Sequence, residues 1–298
     1  MTWLYQALLA PFVDYGFMRR ALAACFALSL GCGPVGVLLV LRRMSLMGDA
    51  MSHAILPGAA IAFLIAGLSV PAMAFGGLIA GLAVALLSGL VTRATALKED
   101  ASLAGFYLTS LALGVLIVSV RGSNVDLLHV LFGTILSIDT QALLLVASIT
   151  TLTLVTLAVI YRPLIVESFD PAFLRAVGGG GHFYHGAFLA LVVVNLVAGF
   201  QSLGTLMAVG LMMLPAAAAR FWAHGVPGLF AAAIGLAFLS GYIGLLASYH
   251  LDVAAGPSII LVAGLAYFGS ILFGRNGGLI ERYFPKPHHH SGHPENAG

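Results

Sequence analysis

The chain has 298 residues, of which 60% are hydrophobic and only 8% charged, with a mean hydropathy of +1.05. A soluble domain carries about 25% charged residues because its surface faces water, so 13 basic and 11 acidic side chains exclude a water-exposed globule of this size. A formal charge of +2 also argues against a nucleic-acid footprint, which needs Lys and Arg clustered on one face. The composition is that of an all-α polytopic membrane protein.

In chain order, Trp3–Phe17 has no basic residues ahead of its apolar stretch, so it does not read as a signal peptide. It is predicted to be a helix lying on the outer membrane face, within an interfacial amphipathic segment 1–18. A membrane-crossing helix needs about 20 mostly apolar residues. Runs free of Asp, Glu, Lys and Arg cover 21–41, 50–92, 101–120, 140–161, 176–219, 221–251 and 253–274. The second is predicted to hold two spans, broken at Gly67–Pro71. The fifth holds two more, broken near Gln201–Gly204 after the glycines at 178–181 are set aside as loop. The count is nine spans within a membrane domain 19–274. Eight is the alternative, because the halves of 176–219 are short. From Arg275 the chain turns Gly-, Pro- and His-rich, and 275–298 is predicted to be a disordered tail whose His288, His289, His290 and His293 could hold a metal loosely.

Basic residues in short loops set the orientation. With the first span running inward, Arg42, Arg43, Arg93, Lys98, Arg162, Arg175, Arg220, Arg275, Arg282 and Lys286 fall inside, against Arg19, Arg20 and Arg121 outside. The amino terminus is therefore predicted outside and the carboxyl terminus in the cytoplasm. Cys25 and Cys32 lie seven residues apart in one predicted helix, about 10 Å along its axis and beyond disulfide reach. They read as structural thiols.

No G-x-x-x-x-G-K-[ST] phosphate loop, H-E-x-x-H or G-x-S-x-G occurs in the chain. Nothing in it reads as an ATPase or a protease.

Ionisable groups at membrane depth are expensive, and by default they mark a substrate path. Between Arg43 and Arg93 the only charged residue is Asp49, in "RRMSLMGDAMSHAILPG". With the membrane boundary at Arg43, Asp49 lies about 9 Å and His53 about 15 Å into the helix, and their i, i+4 spacing puts them on one face. Pro57 has no N–H for the carbonyl of His53. A carboxylate, an imidazole and a free carbonyl suit a first-row divalent cation. The same spacing also suits a structural pair that holds helices together.

A second acid–histidine pair, Asp126 and His129, lies on a stretch too short and polar to span. It is predicted as an outer mouth or as a satisfied surface pair. His250 and Asp252 form a weaker version in the last outer loop. On the cytoplasmic side "ESFDPAFLRAVGGGG" reads as one short helix, with Asp170 as N-cap, Pro171 in the first helical position and Gly178 as stop. Its Phe169, Phe173, Leu174 and Val177 would lie on the bilayer or in a groove of a partner. Pro215 is predicted to kink the seventh span.

These motifs resemble the membrane permease of bacterial ABC transporters that import zinc, manganese or iron. The resemblance runs from about Arg19 to Arg275 and rests on "VLRRMSLMGDAMSHAILPG", "ATALKED", "DLLHVLFG", "FDPAFLRAVG", "GTLMAVGLMMLPAAAARF" and "AGPSIIL", in that order. It implies a homodimer in the bacterial inner membrane, with separate ATP-binding cassette subunits and an extracytoplasmic metal-binding protein. The metal is then transported substrate, with no cofactor bound permanently. Asp49 and His53 take the family's acid-and-histidine positions in the second span, and 168–178 is similar to the helix that docks on the ATPase. His129 is similar to the manganese and iron branch, "MMLPAAAARF" to permeases labelled zinc/manganese, so the metal stays open. A gradient-driven secondary transporter or channel is the rival. It would need a coupling-ion site and usually a clear inverted repeat, and neither is visible.

Overall fold

The structure, a computed structural model, describes residues 2–67, 69–120, 138–176 and 179–283. Every regular element among them is helical. Two short helices, α1 (Thr2–Leu8) and α2 (Ala10–Asp14), lead into α3 (Gly16–Leu41). Then come α4 (Met47–Ala54), α5 (Leu56–Ala66), α6 (Val70–Ala94), α7 (Glu99–Val120) and α8 (Thr140–Phe169). The chain continues through α9 (Pro171–Ala176), α10 (Gly181–Leu203), α11 (Thr205–Ala219), α12 (Val226–Leu251), α13 (Ala255–Phe273) and α14 (Leu279–Tyr283).

Eight segments among the described residues are long and apolar enough to cross a membrane: α3, α4 with α5, α6, α7, α8, α10, α12 and α13. Helix α11, at 15 residues, is the short ninth. The predicted break in the run 176–219 falls at Gly204, whose φ of 87° is a conformation that L side chains rarely adopt. Because α10 uses 23 residues before that break, α11 is left too short for a full crossing.

Helix α3 is the centre of the bundle and packs against α8, α10, α11 and α12, while α4 to α7 form a group joined to it chiefly through α10. In lipid, helices gain little from hydrophobic exclusion, so close backbone approach and polar contacts hold them. Helices α5 and α6 touch backbone to backbone at Gly58 and Gly76: a Cβ on either would collide with the carbonyl oxygen of the other. Thr150 of α8 donates to the Ala27 carbonyl of α3 at 2.9 Å. Asn195 of α10, fully buried, donates to Thr153 Oγ1 of α8 and to the Leu191 carbonyl, each at 2.8 Å. Cys25 and Cys32 are both free and buried.

Two sequence expectations change at the termini. The segment read as one interfacial helix is two, and α3 already starts at Gly16, inside the 1–18 segment. Phe12 stacks on Tyr242 of α12 with ring centroids 5.2 Å apart, the Tyr242 hydroxyl donates to the Leu8 carbonyl, and His250 Nε2 lies 2.8 Å from the Ala7 carbonyl. His250 is thereby engaged in holding the amino-terminal segment. At the other end, the described part of 275–298 is folded rather than disordered: the Asn276 N–H donates to the Phe221 carbonyl at 3.1 Å, and the Gly277 N–H to Glu281 Oε2 at 2.8 Å. The first ties this segment to the turn that ends α11, and the second reaches into α14. The four tail histidines lie outside the described residues.

Candidate metal-translocation site

Helix α3 stops at Leu41, and Arg43 takes a φ of 60°, which turns the chain back into α4. The second span therefore starts at Met47 rather than at Arg43. Asp49 sits in the first turn of α4, two residues from its start. A negative charge is favourable there, because the free N–H groups of a helix start carry partial positive charge.

Asp49 and His53 do share a face. His53 Nε2 lies 3.8 Å from Asp49 Oδ1, with the carboxylate side chain 66% exposed and the imidazole 31%. That separation is too long for a hydrogen bond. It is shorter than the sum of two metal–ligand bonds of about 2.1 Å each, so one ion fits between nitrogen and oxygen. The imidazole plane is fixed by Tyr107 of α7, stacked at 6.2 Å and 26°. His53 Nδ1 is buried and has no hydrogen-bond partner among the described residues, which leaves Nε2 as the nitrogen that looks toward the carboxylate. No group of three or more His, Cys, Asp or Glu able to hold a metal occurs among the described residues. The pair is thus two adjacent donor side chains on an open face.

Ile55 separates α4 from α5, and Pro57 lies in the first turn of α5. The carbonyl taken up from outside at this break is that of Ala54, which accepts from Ser110 of α7 at 3.1 Å. Gly114 of α7 lets that helix approach Pro57 itself, since a Cβ there would lie 3.1 Å from the proline nitrogen. Helix α7 therefore holds both the histidine ring and the kink. Pro215 lies inside α11 without ending it.

The short helix forms as read: Asp170 Oδ1 accepts from the Phe173 N–H at 2.9 Å, and the Gly179 N–H returns to the Leu174 carbonyl at 2.9 Å. Phe169, the last residue of α8, and Phe173 are 65% and 57% exposed. Leu174 is half-buried, because it folds back toward Gly179 and Gly181. Val177 and Gly178 lie outside the described residues, and so do Asp126 and His129.

Sequence reasoning missed a second polar cluster, at the end of the bundle where α3 stops. Arg42 Nε donates to Ser168 Oγ at 3.0 Å, Nη2 donates to Glu167 Oε2, and Nη1 lies 3.3 Å from His185 Nδ1. His185 Nε2 is 3.1 Å from Glu99 Oε1, and the guanidinium sits 4.3 Å over the Phe188 ring. The Arg42 and Glu167 side chains are 6% and 12% exposed. Burial lowers the Arg42 pKa from its usual value, while Glu167 and Glu99 oppose that shift, and a guanidinium keeps its proton in either case. Four helices meet here, and the four residues stand more than 50 positions apart except Glu167 and His185, so no local motif announces them. Arg42, Glu99 and Glu167 fall within "VLRRMSLMGD", "ATALKED" and "ESFDPAFLRAVG", but nothing in the sequence links them to one another or to His185.

The chain belongs to the ABC 3 transport family, which it matches over residues 14–274. It is a multi-pass membrane protein of that family. It is 33% identical over 285 residues, 95% of each chain, to the manganese transport system membrane protein MntC of Halalkalibacterium halodurans. It is 28% identical over 273 residues to the chelated iron transport system membrane protein YfeD of Yersinia pestis, covering 92% of this chain and 90% of that one. Among solved structures it is similar to PsaBC from Streptococcus pneumoniae in complex with Fab, with a TM-score of 0.81, 29% identity, and coverage of 93% of this chain and 100% of that one.

Proposed function

We propose that this chain is the membrane permease of an ABC importer in the bacterial inner membrane, with manganese as its cargo. It works as a homodimer, with a separate ATP-binding cassette subunit and an extracytoplasmic metal-binding protein. The amino terminus is outside and the carboxyl terminus in the cytoplasm. The observation that carries this reading is the Asp49–His53 pair, aligned on one face with a 3.8 Å gap.

A carboxylate this exposed within a membrane protein needs a polar neighbour. A second copy supplies one, and two copies bring two carboxylates and two imidazoles, a donor set suited to first-row divalent ions. Because such sites bind zinc more tightly than manganese on intrinsic affinity, selectivity must come from ligand number and geometry. Manganese is favoured over zinc and iron by the names of relatives at 30% identity or above. Asp126 and His129 guide the ion at the outer mouth, and Phe169, Asp170, Pro171, Phe173 and Leu174 form the contact with the ATPase. The chain has no phosphate loop, so ATP must act through another protein.

The test is uptake in cells stripped of their own importers, supplied with this permease together with an ATPase subunit and a metal-binding protein of the same family. Radiolabelled manganese should enter, with weaker competition from zinc and iron than from unlabelled manganese. Uptake without the ATPase subunit would instead support a gradient-driven carrier.

A further inference from the structure

We propose that Arg42 is a positioning residue that couples the α9 segment to the helix carrying Asp49 and His53. The inference deepens the proposed function and rests on it for the source of the force, an ATPase acting on α9.

Its basis is where the partners of Arg42 stand in the chain. Glu167 and Ser168 are in the last turn of α8, directly before the Asp170 cap of α9. His185 lies in the first turns of α10, directly after α9. One guanidinium thus grips both flanks of the short helix. Arg42 itself is five residues ahead of Met47, where α4 begins. The second route leaves through His185 to Glu99 at 3.1 Å, the first residue of α7, the helix that stacks Tyr107 on His53 and bonds the Ala54 carbonyl through Ser110. Two connections, one through the short α3–α4 turn and one along α7, therefore run from the flanks of α9 to the Asp49–His53 pair.

The chemistry suits a latch. Three separate nitrogens of the planar guanidinium reach Ser168, Glu167 and His185, whereas a lysine carries its three donors on one nitrogen and cannot span those positions. Nη1 donating to His185 Nδ1 requires the proton of the neutral ring on Nε2, which then donates to Glu99. The Phe188 face closes the guanidinium from the remaining side.

The experiment uses the permease assembled with its ATPase subunit and reconstituted in liposomes, with manganese uptake and ATP hydrolysis measured together. Arg42→Lys keeps the charge beside Glu167 and loses the fork. It should assemble normally yet lower uptake per ATP hydrolysed about tenfold. Arg42→Gln should do the same, and the double exchange of Arg42→Glu with Glu167→Arg should recover part of the ratio. A metal-independent readout uses Leu46→Cys, a reporter in the α3–α4 turn at a position 74% exposed, against two native cysteines that are buried. Addition of ATP should change its labelling rate by a thiol reagent in the otherwise unaltered complex, and Arg42→Lys should abolish that change. An unaltered uptake-to-hydrolysis ratio and an unaltered labelling response in Arg42→Lys would overturn the proposal. So would loss of uptake in strict proportion to loss of assembled protein. If the parent complex moves no manganese, the proposed cargo fails, and the labelling arm alone still decides the latch.

Discussion

Ser110 of α7 donates its hydroxyl to the carbonyl of Ala54, the residue after His53, at 3.1 Å. This bond spans 56 residues of sequence and satisfies a carbonyl beside a proline break, where helical partners are lost. It means that the position of the imidazole is set by α7 as much as by α4. Ser110→Ala should therefore cost about 0.6–1 kcal/mol of stability, the usual value of an interhelical hydrogen bond in a membrane. Apparent affinity for manganese in uptake assays should weaken more than maximal rate, because the ligand is displaced rather than removed.

The Gly58–Gly76 contact yields a packing prediction. Gly58→Ala forces α5 and α6 apart and should lower stability by about 1–3 kcal/mol, the range for overpacking a close contact. Gly89→Ala is the control, since a Cβ there meets nothing within 4 Å and should leave the melting temperature of the detergent-solubilised protein unchanged. Equal behaviour of the two variants would rule out the close approach.

Phe173 yields a prediction about assembly. An aromatic anchor that fills a groove typically contributes 2 kcal/mol or more. Phe173→Ala should therefore reduce the ATPase subunit retained on the purified permease, with membrane insertion unaffected. Full retention and full uptake would leave α9 lying on the bilayer and move the contact to the loop 92–100.

Much of this was readable in the chain itself. Charge-free runs located the spans because lipid tolerates no charge along a lipid-facing helix, and Gly204 marked the division of 176–219 because only glycine adopts its backbone angle easily. Asp49 and His53 stood out because i, i+4 spacing is local. The turn at Arg43, after which α4 starts at Met47, leaves no trace in hydropathy. The cluster of Arg42, Glu99, Glu167 and His185 was hidden for another reason: its contacts span up to 143 residues, and charges beyond the ends of apolar runs look like ordinary loop residues. The order in 275–283 was missed because single backbone bonds such as Asn276 to Phe221 leave no compositional trace.

Asp126 and His129 carry a prediction about supply. If they gather the ion at the outer mouth, Asp126→Ala should slow uptake most at low external manganese and least at saturation, by weakening local attraction of cations. An unchanged dose response would mark the pair as surface residues.

The central claim is that Asp49 and His53 hold the ion on its way through the membrane. Its most direct test is radiolabelled manganese uptake by Asp49→Asn in a complex that still retains its ATPase subunit, since asparagine keeps the shape of the side chain and removes the charge that attracts a divalent ion. The account predicts that uptake falls to background while the complex stays assembled and the protein stays inserted. Parental uptake in Asp49→Asn at equal expression would contradict it, and would return the pair to a structural role between helices.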